Sequence, residues 1–168
     1  PFDGDARRGE RASRPGHSGS VRDVQETQAL TFGRVALPRR AALDHAELRC
    51  LSVACGAAHT AAVTSGGRLY TWGLGANGRL GHGDEDDQLL PKRVEGLQER
   101  VCSVAAGFAH SLAVTSSGTL YSWGWGERGQ LGHGDEENRL LPTRVEGLQE
   151  RVQSVAAGAL SSLGLGEL

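Results

Sequence analysis

Two segments of this chain carry a glycine spacing that can cradle a phosphate. Gly73-Leu74-Gly75-Ala76-Asn77-Gly78 and Gly124-Trp125-Gly126-Glu127-Arg128-Gly129 both read G-x-G-x-x-G. A pyrophosphate site of that kind needs a helix whose N-terminus faces the phosphate. Leu80-Gly81-His82-Gly83-Asp84 follows the first segment and places glycine at alternate positions. Such a stretch does not start a helix, since each interior glycine costs ~1 kcal/mol. The glycines are better read as turn residues that also let backbones approach closely. No cofactor is expected.

His59 and His110 each follow a glycine by three residues. Histidine at such a place can be a base or a metal ligand. Neither a Ser-His-Asp set nor H-E-x-x-H surrounds them, so a buried hydrogen-bonding strut is the expectation. His82 and His133, in glycine loops, read the same way. Cys55 and His59 are spaced like half a zinc site, without a second half. Cys55 therefore reads as a buried, apolar cysteine.

Two acidic loops follow the glycines. One holds His82, Asp84, Glu85, Asp86 and Asp87; the other holds His133, Asp135, Glu136, Glu137 and Asn138. Calcium favours clustered carboxylates, but the D-x-D-x-D-G spacing that wraps the ion is absent. Solvated charge is the expectation, with contact to a basic partner as the functional alternative. Trp125 stands where the first segment has Leu74, and an unmatched loop aromatic suits a partner anchor. Candidate partner contacts are thus Trp125, Asp84, Glu85, Asp86, Asp87, Asp135, Glu136 and Glu137. No catalytic or metal-ligating residue is assigned.

These pairs exist because the chain repeats itself every 51 residues. Gly56-Ala57-Ala58-His59-Thr60 returns as Gly107-Phe108-Ala109-His110-Ser111, and Leu69-Tyr70-Thr71-Trp72-Gly73 as Leu120-Tyr121-Ser122-Trp123-Gly124. Arg93 to Arg100 returns unchanged as Arg144 to Arg151. The boundaries read as repeat 1 at 51–101, repeat 2 at 102–152 and a truncated repeat 3 at 153–168. Residues 29–50 read as the remnant of a preceding unit, because Leu37-Pro38-Arg39-Arg40 resembles Leu90-Pro91-Lys92-Arg93. Residues 1–28 are polar, with no apolar period, and read as disordered. Their Arg7, Arg8, Arg11 and Arg14 read as a solvated tail.

Each repeat reads as short strands joined by turns. Leu112 and Val114 alternate with Ala113, and Leu120 alternates with Tyr121 and Trp123. Both faces of the sheet are thus apolar or small, which suits packing on both sides. Ser117-Gly118 and Gly66-Gly67 mark hairpin turns. A weaker strand opens on Pro142 or Pro91, a position suited to an outer edge. In the third unit, Ser161 replaces the histidine, and Gly164-Leu165-Gly166-Glu167-Leu168 is read as losing the strand pattern. Four strands per repeat, stacked on copies of themselves, describe propeller blades.

Composition fits this picture. Glycine supplies 25 of 168 residues, about twice the usual ~7%. Sixteen of them fall in eight pairs 51 residues apart. No apolar run is long enough to span a bilayer. The net charge of −2 is not that of a nucleic-acid binder. Three cysteines without a C-x-x-C pair argue against a disulfide framework and for an intracellular, reducing setting, cytoplasmic or nuclear. The absence of methionine suggests a fragment of a longer protein.

The frame V-A-C/A-G-x-x-H-T/S followed by L-Y-x-W-G-x-G-x-x-G-x-L-G-H-G resembles the repeat of the regulator of chromosome condensation family, over about residues 33 to 163. The resemblance implies a seven-bladed β-propeller of four-stranded blades, of which about two and a half are here. It implies a non-enzymatic module that binds a protein. It leaves open nucleotide exchange on a Ran-like small GTPase, a part in a HECT-type ubiquitin ligase, and ultraviolet-B sensing. Exchange in the founding member uses a long inter-strand insertion, absent from both full repeats. No HECT domain is present in these residues. The ultraviolet receptor carries tryptophan where this chain has Ala57 and Phe108. The open blade faces are expected to promote self-association; neither membrane nor nucleic acid is an expected partner.

Overall fold

The computed structural model describes residues 49–166, all within the compact unit Leu37–Leu168. The disorder read for 1–28 lies outside the described residues, as does the remnant read for 29–50 apart from its last two positions.

The described residues are all-β, with one 3-10 turn at Ala76–Gly78 and no α-helix. The first sheet holds β1 (Cys50–Cys55), β2 (His59–Thr64), β3 (Leu69–Gly73) and β4 (Gln88–Arg93). The second holds β5 (Val101–Ala106), β6 (His110–Thr115), β7 (Leu120–Gly124) and β8 (Arg139–Arg144). A third, two-stranded sheet holds β9 (Val152–Ala157) and β10 (Ser162–Gly166). Every pairing is antiparallel between chain neighbours. These are successive blades of a partial β-propeller.

The alternation along β6 and β7 decides which face packs where. Ala113 and Trp123, with Tyr121 beside them, join Ala61, Val63 and Leu69 of the first sheet in one core. Leu112, Val114 and Leu120 join Val152 and Val155 in a second core, toward the third sheet. Strands β5, β6 and β7 of the second sheet are thus shared between two cores, which is why both their faces are largely apolar. Burying one such aliphatic side chain contributes about 1.5–3 kcal/mol. The turns are set by glycine. All twelve described glycines with positive φ fall into six pairs 51 residues apart.

Three readings of the sequence are corrected. The segment after Ser161 remains a strand: Leu163 pairs with Ala156 and Gly164 with Val155. Main-chain pairing needs no particular side chain, and here the side chains are simply left exposed. The fourth strands do not open on proline. They begin three residues earlier, at Gln88 and Arg139, and the prolines sit in register irregularities. A bulge on an outer strand tolerates a missing N–H. Finally, Cys55 is exposed. Its neighbour Ala54 turns into the core between the first two sheets, so strand alternation turns Cys55 the other way.

Candidate interaction surface

The repeated histidines sit in the seams between sheets. His59 begins β2, on the strand face that Ala61 and Val63 turn toward the second sheet. Its Nε2 lies 2.9 Å from the hydroxyl of Ser111 in β6. That hydroxyl donates its one proton to the Arg79 carbonyl at 2.8 Å. His59 must therefore donate from Nε2, which fixes the neutral tautomer. Its Nδ1 has no hydrogen-bond partner among the described residues. The ring lies over Gly56, where a β-carbon would strike it. Burial pushes the His59 pKa down to about 4, with smaller contributions from Arg79 and His110. One seam further on, His110 lies 3.0 Å from the Ser162 hydroxyl, and burial lowers its pKa too.

The glycine segment after β3 is the clamp of this seam. Arg79 is only 5% exposed. Its side chain donates to the Ala76 carbonyl at 2.8 Å and, at 3.4 Å, to Asn77 Oδ1 and to the Phe108 carbonyl of the second sheet. The Arg79 carbonyl accepts from Ser111 and also from the indole of Trp123 at 3.0 Å. Gly83 donates to the Leu140 carbonyl in β8 at 3.0 Å. In the first repeat, Gly78 of the phosphate-type segment packs on Leu140 of β8, while Gly73 and Gly75 pack on their own blade. The sequence did not single out Arg79; its counterpart is Gln130, so recurrence gave no signal.

The remaining histidines brace their own loops. Thr71 donates to the Leu80 carbonyl at 2.7 Å and meets His82 at 3.1 Å. Ser122 does the same with Leu131 and His133, at 2.7 and 2.9 Å.

The acidic loops divide into structural and free carboxylates. Asp87 accepts from the Gly75 N–H at 2.8 Å, as Asn138 does from Gly126. Asp84 and Asp135 each accept from the N–H two residues on. Arg139 pairs with Asp135 and Glu137, and Lys92 with Asp84 at 3.8 Å. Glu85, Asp86 and Glu136 are exposed, and none of their carboxylates is paired with a described neighbour. Trp125 is half-buried, and its N–H bonds the Ala109 carbonyl at 2.9 Å. Among the described residues, no group of three His, Cys, Asp or Glu is placed to hold a metal ion.

The model of the regulator of chromosome condensation (RCC1) repeat matches residues 66–114 and 117–165. The chain belongs to the RCC1 repeat family. A second RCC1 repeat model matches residues 51–79 and 101–130. Among curated relatives, the ultraviolet-B receptor UVR8 of Arabidopsis thaliana is 47% identical over 112 residues, covering 66% of this chain and 26% of the receptor. The E3 ubiquitin-protein ligase HERC2 of Homo sapiens is 48% identical over 121 residues, 70% of this chain and 2% of the ligase. This RCC1-repeat chain therefore spans about a quarter or less of these relatives' lengths. The crystal structure of Prp20p from Saccharomyces cerevisiae, described with its binding to Gsp1p and histones, superposes with a TM-score of 0.65 at 27% identity. That match covers 80% of this chain and 33% of Prp20p. Human WBSCR16 matches with the same TM-score and identity.

Proposed function

We propose that these RCC1 repeats form a non-enzymatic module that presents loops to a protein partner, as part of a longer intracellular propeller. The observation that carries this reading is the use made of the histidines. His59 and His110, the side chains best suited to acid–base chemistry, are buried in the seams and hydrogen-bonded to serines. A rigid frame carrying variable loops suits binding. The hollows at the two repeated β-hairpin turns measure about 150 and 190 Å³, and an open one lined by Thr115, Arg151 and Val152 about 280 Å³, all below the ~300–1,000 Å³ typical of small-molecule sites. Cross-linking of the purified chain, followed by mapping of linked residues, tests the reading. Links concentrated on the 74–87 and 125–138 loops support it. Turnover of a small substrate lost on substitution of His59 would overturn it.

Nucleotide exchange on a Ran-like small GTPase is the second reading, favoured by the likeness to Prp20p and its binding to Gsp1p. Against it stands the unbroken 51-residue register of the two full repeats, neither of which carries an inserted wedge. Release of labelled nucleotide from a Ran-type GTPase, accelerated above the spontaneous rate, would establish exchange. A place in a HECT-type ligase or an ultraviolet sensor rests on the identity to HERC2 and UVR8 alone, and Ala57 and Phe108 offer no indole.

A further inference from the structure

Two aromatic residues distinguish the second sheet from the first, and both stand at the same end of it. Phe108, in the turn between β5 and β6, is 54% exposed. Its counterparts are Ala57 and Ala159. Trp125 follows β7 directly, and its counterpart is Leu74. The hydrogen bond from the Trp125 N–H to the Ala109 carbonyl sets the two aromatics on neighbouring strand ends.

Acidic loops flank this pair on both sides. The Glu137 carbonyl lies against Gly126, where a β-carbon would strike it, so the 134–138 segment folds back beside Trp125. From the first sheet, Arg79 reaches the Phe108 carbonyl and ties the 74–87 loop, with Glu85 and Asp86, to the same end. Of the cations here, Arg79 is buried and Arg139 is paired to Asp135 and Glu137, which leaves Arg128 exposed against four exposed carboxylates. Glu85, Asp86, Glu127 and Glu136 are exposed and unpaired among the described residues.

An exposed Phe108 ring and a half-buried Trp125, beside carboxylates that outnumber the free cations, suit one kind of ligand. A guanidinium or ammonium gains from the ring face and from the carboxylates together, whereas a nucleic-acid backbone is repelled. We propose that this end of the second sheet binds an Arg/Lys-rich segment of a partner protein. Phe108 and Trp125 anchor it, and Glu85, Asp86, Glu127 and Glu136 attract it. The proposal rests on the protein-binding reading above and names the chemistry of the partner.

The test is fluorescence anisotropy of the full chain with a short labelled peptide of Arg, Lys, Gly and Ser. A peptide with Glu in place of the cations serves as control. The basic peptide is expected to bind, the acidic one not, and the affinity to fall with added salt. Phe108→Ala and Trp125→Ala should each weaken binding by about tenfold or more, the loss typical of an anchor. Glu85→Lys with Glu136→Lys should nearly abolish binding; both residues are exposed, so the thermal melt should stay unchanged. Absence of binding, or binding untouched by all these substitutions, overturns the proposal. Loops that still cross-link to another partner in these same variants would leave the broader protein-binding function intact.

Discussion

His59 donates a hydrogen bond across the seam to Ser111, 2.9 Å away and 52 residues along the chain. The Ser111 hydroxyl in turn donates a hydrogen bond to the Arg79 carbonyl, so one hydroxyl joins β2, β6 and the clamp loop. Ser111→Ala should leave the buried His59 N–H without an acceptor, at a cost of about 1–3 kcal/mol. Ser162→Ala removes the matching partner of His110, but Ser162 is only half-buried and water can take its place. Its cost should be smaller. Urea unfolding of the two variants gives the comparison.

The seam should also make stability depend on pH. The His59 pKa is near 4 in the folded chain, against about 6.5 when unfolded. Its contribution is fully present above about pH 6.5 and is lost as pH falls toward 4, because the unfolded state takes up the proton first. The lowered pKa of His110 acts in the same direction. The melting temperature should therefore fall from about pH 7 to about pH 5, a range above most carboxylate titration. His59→Gln should flatten that slope. An unchanged slope in the variant would show that His59 is not the titrating group.

The clamp can be tested by a matched pair of glycines. Gly78 and Gly129 have nearly equal φ, +72° and +69°. An alanine at either strains the backbone by about 1–2 kcal/mol. At Gly78 the new β-carbon would also come within 2.7 Å of the Leu140 Cα, whereas at Gly129 it meets nothing within 4 Å. Gly78→Ala should thus cost about 1–3 kcal/mol more than Gly129→Ala. Equal losses in chemical unfolding would argue against the packing of this loop on β8.

Asp87 offers a sharper reading of an acidic residue. It accepts from the Gly75 N–H, the bond that neutral Asn138 makes in the second repeat. Asp87→Asn should keep stability within about 0.5 kcal/mol, the range of a neutral surface change. Asp87→Ala should cost about 1 kcal/mol, the worth of the lost hydrogen bond. Thermal melts of both variants separate the role of the oxygen from that of the charge.

What was legible in the sequence follows from these contacts. The faces of β6 and β7 could be read from Leu112, Ala113, Leu120 and Trp123, because burial on both sides leaves an alternating apolar record. The struts at His59 and His110 could be read because they recur. Their partners could not, since Ser111 and Ser162 look like ordinary strand hydroxyls until a neighbouring sheet is placed beside them. The role of Asp87 left one trace, its exchange for Asn138 with the side-chain oxygen kept and the charge lost. The strand at Ser162–Gly166 was missed because backbone pairing leaves no side-chain signature.

That last strand carries the remaining prediction. Among the described residues, β10 pairs only with β9. The equivalent strand β6 has a partner on each side. Leu163 and Leu165 of β10 are 69% and 64% exposed. An open, apolar strand edge invites pairing with another chain. The 168-residue chain should therefore associate with itself in a concentration-dependent way, visible by sedimentation velocity. Leu163→Lys with Leu165→Glu should suppress that association. It should scarcely change the unfolding free energy, because neither side chain is part of a core. Association that persists in this variant would place the contact elsewhere, and a wild-type chain that stays monomeric as concentration rises would remove the edge as an explanation.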